Sequence, residues 1–182
     1  MAAFATSGDL EDFLQLEEPI NAATANLALA VASGLIRSYV GWSITSEVVE
    51  LTTEGNGGDA IWLPTKLLTA VASVEVDGVL LTFGDHYRWK TSGRLRRIGT
   101  RWSCQEQSVE INYTHGYSPV PDEVKGIALK LAGRFYNNPE ELRAWSVDGL
   151  SETMATSTTD AGSVLSDFEK VALDPYVLEG VA

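Results

Sequence analysis

Three side chains in this sequence could bind a metal or activate a nucleophile: His86, Cys104 and His115. They include its single cysteine and both of its histidines. Their separations match no recognised ligand spacing, and one thiol excludes a disulfide framework or a multi-thiolate zinc site. Cys104 therefore reads as a structural or merely tolerated thiol. A hydrolase of the Ser–His–Asp kind is compatible with the composition, but the Gly-x-Ser-x-Gly elbow is absent. Gly55-Asn-Gly-Gly-Asp59 has the glycine density of a phosphate-binding loop. It lacks the Lys-Ser/Thr pair and opens no evident helix, so it reads as a turn. Carboxylates outside turns are scattered over acidic surface positions, with no pair placed for general acid–base work. No catalytic residue, metal ligand or cofactor site is predicted. A small enzyme with an unrecognised site stays as a lesser alternative.

The stronger signal is electrostatic. The 182-residue chain is 45% apolar and carries a formal charge of −12, which argues against a general nucleic-acid binder. No basic residue precedes Arg37, whereas Asp9, Glu11, Asp12, Glu17 and Glu18 are acidic. Between His86 and Ser103 the sign reverses: Arg88, Lys90, Arg94, Arg96, Arg97 and Arg101 occur with no acid among them. After Arg143 the only base is Lys170. A basic block in an acidic chain could make a head-to-tail contact between copies or meet an acidic partner. It reads equally well as a solvated hairpin whose charges protect an edge strand from aggregation. Trp89 and Trp102 are interleaved with the block, and Trp62 lies in the same β region. All three read as core or interface anchors. Contact of Trp89 and Trp102 with nucleic acid is the other reading, which the overall acidity disfavours. No apolar run reaches membrane-spanning length, and the first residues lack a signal-peptide pattern, so a cytoplasmic product is expected.

The elements that position these residues follow from periodicity. The N-terminus reads as a helical hairpin: Thr6 caps a short helix, Pro19 breaks the chain, and Asn21 caps a longer helix that stops at Gly41. Leu27, Val31, Leu35 and Tyr39 form one stripe on that helix and Ala28, Ala32 and Ile36 another. Packing on two sides is therefore expected, with a close helix contact at Gly34. From Trp42 to Thr114 the pattern is β. Asp77-Gly78 marks one hairpin, and Thr91-Ser-Gly93 lies between the arms of a second. Val109–Tyr113 completes the sheet. Pro121 then fits a first helical turn. Val124, Ile127, Ala128, Leu131 and Phe135 form a core stripe, and Asn138 can cap a further short helix. After Ser146 periodicity fades. Ser151–Ser163 is rich in Ser, Thr, Ala and Gly, and a last helical patch spans Ser166–Leu173.

The predicted fold class is α+β: a small α-helical bundle with an inserted antiparallel β-sheet and an extended C-terminal arm. The main domain covers 1–145, with helices in 6–40 and 121–144 and the β insertion at 44–114. Residues 146–182 form a flexible arm with a short terminal helix.

The order of these motifs resembles a known family. A short Asp-Leu-Glu helix (Asp9 to Leu14) precedes an Ala-rich helix ending Ser33-Gly-Leu-Ile-Arg-Ser-Tyr-Val40. A β insertion follows, carrying Ser92-Gly-Arg-Leu-Arg-Arg97. Next come Tyr113-Thr-His-Gly-Tyr117, Pro121-Asp-Glu-Val124, and Lys130-Leu-Ala-Gly-Arg134 running to Asn138-Pro-Glu140. This is similar to the head–tail connector (adaptor) proteins of long-tailed bacteriophages, over about residues 4 to 175 in element order, and most specifically at 109–142. The resemblance implies a structural virion protein without catalytic residues or cofactor, assembled in the host cytoplasm and located at the head–tail junction. It implies a closed homo-oligomeric ring of about twelve copies, whose heterologous contacts close by rotation. The ring would dock beneath the portal, receive a stopper or tail-completion protein below, and pass DNA without specific binding. No membrane is involved. The candidate subunit or portal interface is Arg88, Lys90, Arg94, Arg96, Arg97 and Arg101 with Trp89 and Trp102. The β insertion is larger than in the mostly helical members. A different neck or tail-completion protein, a stopper or tail terminator, is the alternative.

Overall fold

A computed structural model describes residues 3–16, 20–137, 144–147, 150–153 and 165–178. The fold is α+β, and the chain divides into two compact units. Residues up to Tyr39 together with Pro121–Pro175 make the first; Val40–Val120 and the residues from Tyr176 onward make the second.

The first unit is helical. Helix α1 (Ser7–Leu14) starts at Thr6, whose hydroxyl accepts from the Asp9 amide while the Asp9 carboxylate accepts from the Thr6 amide. This reciprocal cap satisfies two backbone donors that a helix start leaves open. Helix α2 (Ala22–Val40) starts where the Asn21 side chain accepts from the amides of Ala23 and Thr24. It stops at Gly41, whose φ of +80° is left-handed. Helix α3 (Asp122–Asn137) buries Val124, Ile127, Ala128 and Leu131 and packs against α1. Lys125 ties the pair: its ammonium lies 2.8 Å from the Asp9 carboxylate.

Helix α2 buries one stripe fully and the other only towards its C-terminal end, where Leu35 and Tyr39 are half-buried and the Tyr39 hydroxyl donates to the Asp174 carboxylate. Ala25, Ala28, Leu29, Ala32, Ser33 and Ile36 are buried, while Leu27 is 66% and Val31 43% exposed. Gly34 lies on the exposed side, and a Cβ there would meet nothing within 4 Å. The close approach falls one residue earlier, where the buried Ser33 hydroxyl accepts from the Phe4 amide. Both stripes are apolar enough to be buried, and periodicity alone does not say which finds a partner within the chain.

The C-terminal third also departs from expectation. Strands β8 (Ala144–Val147) and β9 (Leu150–Thr153) pair antiparallel where a helix end and a loss of periodicity are predicted. Between them the sequence reads Asp148-Gly149, the dipeptide that favours a two-residue hairpin connection. Helix α4 (Asp167–Leu173) has its own capping box at Ser166 and packs on α3. Its buried Glu169 is paired with Arg134, which offsets the cost of taking a carboxylate out of water. Residues 165–178 are thus folded rather than part of a free arm, because Leu165 and Leu173 find burial. The expected break at Pro19, the short helix expected after Asn138 and most of the Ser/Thr-rich stretch lie outside the described residues.

The second unit holds two antiparallel sheets. Strands β1 (Glu47–Thr53), β7 (Val109–His115), β3 (Leu68–Val76) and β4 (Val79–Leu80) form a four-stranded sheet in that order. Strands β2 (Ala60–Trp62), β6 (Arg94–Arg97) and β5 (Tyr87–Trp89) form a three-stranded one. Because β7 is paired on both sides, its alternation is strict: Val109, Ile111, Tyr113 and His115 are buried. These residues share a core with Ile61, Leu63, Leu68, Val74, Tyr87, Leu95 and Trp102. The β3–β4 hairpin turns at Asp77-Gly78, both left-handed, as the dipeptide predicts. Three glycines are required by close approach to backbone, the tightest being Gly55, where a Cβ would sit 2.0 Å from the Ser103 carbonyl. A Cβ on Gly93 would sit 2.7 Å from the Thr65 carbonyl, and one on Gly116 would sit 2.3 Å from the Thr45 carbonyl. The end of the chain is pinned in this unit: the Trp42 indole donates to the Tyr176 carbonyl, Lys66 to that of Val177, and the Leu178 amide to that of Val40.

Candidate interaction surface

The basic block forms the β5–β6 hairpin and the loop after it. The register pairs Tyr87 with Arg97, Arg88 with Arg96 and Trp89 with Leu95. On the other edge of β6, Ala60 pairs with Arg96, Ile61 with Leu95 and Trp62 with Arg94. Side chains alternate across a strand, so each cross-strand pair shares a face. Tyr87, Leu95 and Ile61 point inward and are buried; Trp89 packs against them, half-buried. Arg88, Arg96, Arg94 and Trp62 point outward. Lys90 continues that outward row, its amide donating to the Arg94 carbonyl as the ladder extends.

The outward face is therefore cationic around one indole. Trp62 is 46% exposed, and the Arg94 guanidinium lies 5.8 Å from its ring centroid. Arg88 and Arg96 stand directly opposite each other, a like-charge pair that destabilises a sheet unless an anion relieves it. Among the described residues one acid pairs with this set: Asp59 lies 3.0 Å from Arg96, and both side chains are more than half exposed, which makes the pair weak. Among the described residues, Arg88, Lys90, Arg94, Arg97 and Arg101 have no acidic partner within 4.0 Å.

The remaining predicted site residues behave differently. Arg97 has inward parity, its guanidinium 5.4 Å from the Trp102 ring centroid. Its Nε and Nη1 are buried and accepted by no described group, and burial pulls its pKa below the ordinary arginine value. Trp102 is 2% exposed and belongs to the core. Arg101 is exposed in the loop after β6. The structure thus joins Arg88, Lys90, Arg94 and Arg96 in one surface and gives Arg97, Trp89 and Trp102 to packing. Trp62, a core or interface anchor by sequence but outside the predicted interface set, is the aromatic member of this face. Its signal lies in Ile61-Trp62-Leu63, where the flanking residues are buried and the tryptophan between them faces out.

The three residues with metal or nucleophile chemistry stay apart. Cys104 is exposed, and the His86 Nδ1 accepts from the Thr82 amide. His115 is buried beside Trp42 and Tyr113, its Nε2 3.6 Å from Glu47. No group of three or more His, Cys, Asp or Glu among the described residues could hold a metal. The glycine cluster is a turn: the Asn56 side chain accepts from the Gly58 amide and donates to the Ala60 carbonyl.

Comparison with known proteins adds an independent observation. The family model described as "Head completion protein" matches residues 3–167. No curated protein matches in sequence. Solved structures that share the fold include two at 18% identity. A chain in the "Neck of native GTA particle computed with C12 symmetry" aligns with a TM-score of 0.64 over 96% of this chain and 89% of its own. A chain in the "Virion of native gene transfer agent (GTA) particle" aligns at 0.69 over 100% and 95%.

Proposed function

The chain belongs to the head completion protein family, and on that premise we propose that it is one subunit of a closed ring joining the portal of a DNA-filled head to the tail. It is a structural virion protein, not an enzyme. The observation that carries the ring is the near full-length likeness to a chain of a neck solved with C12 symmetry. A ring of about twelve copies follows, with heterologous contacts that close by rotation. The portal lies on one side, and a stopper or tail-completion protein on the other. DNA passes through the channel without specific binding, the net charge of −12 keeping it from adhering. Arg88, Lys90, Arg94 and Arg96 with Trp62 supply a subunit or portal contact. The large unpaired charge on this face supports that role.

Electron microscopy of the purified protein mixed with purified DNA-filled heads tests this reading. Rings seated at one vertex of the head are expected, and fewer at high salt. Heads that stay bare at every protein concentration would overturn it.

A further inference from the structure

We propose that the outward face of the β2–β6–β5 sheet in one copy seats the acid-bearing outer side of α1 in the next copy. This rests on the ring reading above and names the two surfaces that would close it.

The sheet side offers Arg88, Lys90, Arg94 and Arg96 around the exposed Trp62, with Asp59 the only acid among the described residues that pairs with them. The helix side is its complement. Within α1, Asp9 is already engaged by Lys125 and Thr6. Glu11 and Asp12 pair with no base among the described residues, and Asp12 is exposed. Beside them Phe13 is 45% and Leu16 40% exposed, so each surface sets exposed apolar side chains among charges predominantly of one sign. An aromatic anchor within a charged rim is how protein interfaces combine affinity with register. The two patches differ, and a heterologous contact that repeats around a ring requires two different patches on every copy. A chain with no base before Arg37 and no acid between His86 and Ser103 carries both halves of such a contact.

Charge reversal tests the pairing. One variant carries Arg88→Glu, Arg94→Glu and Arg96→Glu; the other carries Glu11→Lys and Asp12→Lys. Thermal melts establish that both fold, and sedimentation velocity and electron microscopy on heads count rings. Each variant alone should lose ring formation by about tenfold or more. An equimolar mixture should regain it, because a reversed helix then meets a reversed sheet and a native helix meets a native sheet around an alternating ring. Both reversals in one chain should restore assembly as well. Failure of the mixture and of the combined chain to recover would overturn the pairing. Coupled to lost binding at the portal, or to lost retention of duplex DNA, that failure would assign the face to that partner instead. Normal rings from both single-surface variants would overturn the pairing and leave the ring reading intact. A native protein that never forms rings, alone or on heads, would overturn both.

Discussion

The two faces of the three-stranded sheet carry the same kinds of residue and put them to opposite uses. Outward, Trp62 and Arg94 are stacked at the surface; inward, Arg97 is stacked on Trp102, which is 2% exposed. Each pair is an arginine over an indole, separated from the other by a shift of strand parity and nothing in composition. The outward arginine is half-buried, with its Nε alone left without an acceptor among the described residues. The inward arginine has lost water around Nε and Nη1 and gained no acceptor among the described residues. A block of like charges is thus not a uniform surface. A strand's period of two sorts it into contacts for a partner and contacts for the core.

The largest expected effect separates the two tryptophans. Trp102→Ala removes a buried indole from the core shared by both sheets and should cost about 3–5 kcal/mol. Trp62→Ala should cost under about 1 kcal/mol, since only part of the ring and one cation–π contact are lost. Chemical denaturation of both variants checks this. Equal losses would break the distinction between the faces.

How much of this division was legible depends on the kind of signal. Caps and tight turns are local chemistry, and they read correctly from the sequence: Thr6 with Asp9, Asn21, and Asp77-Gly78 all stand where their side chains and backbone preferences require. The β8–β9 pair is not legible, because the polar, aperiodic stretch after it makes the whole segment read as an arm. Faces are harder. On α2 both apolar stripes satisfy helical periodicity, and only the assembled unit shows that Ala28, Ala32 and Ile36 are buried, Leu35 and Tyr39 half-buried, and Leu27 and Val31 exposed. For the basic hairpin the charge pattern marks the residues but not the direction in which each side chain points: Arg97 has inward parity and Trp102 is buried. Deciding inward from outward needs the register with β2, a pairing between segments far apart in sequence. Trp62 was obscured for the same reason.

The two arginines give a smaller contrast. Arg97→Met keeps the stem that packs on Trp102 and removes a guanidinium that burial leaves uncompensated. Stability should hold or rise by up to about 1 kcal/mol. Arg96→Met removes a solvated charge and a weak pair with Asp59 and should stay within about 0.5 kcal/mol. Thermal unfolding at two salt concentrations separates them, because only the Arg96 contribution is open to screening. A loss above about 2 kcal/mol for Arg97→Met would mean that the inward charge is held by a strong acceptor, and the faces would differ less than proposed.

The same parity rule operates in the other sheet, where it gives the smallest effect and the one that depends on pH. His115 occupies an inward position of β7 and is 4% exposed. Burial lowers its pKa, while the Glu47 carboxylate 3.6 Å away and the Ser43 backbone oppose that shift. The folded protein therefore prefers the neutral ring. Above the unfolded value of about 6.5 both states are neutral and this preference costs nothing. As pH falls below that value the unfolded chain takes up the proton first, so stability drops until pH passes the lower folded value, and this term is then constant. His115→Gln has no ring to protonate and should lose less stability than the native protein between pH 7 and pH 5, whatever its stability at pH 7. Denaturant midpoints across that range measure the difference. Parallel curves would show that Glu47 and the Ser43 backbone cancel the cost of burial, and that an inward position on β7 does not penalise charge as the inward position of Arg97 does.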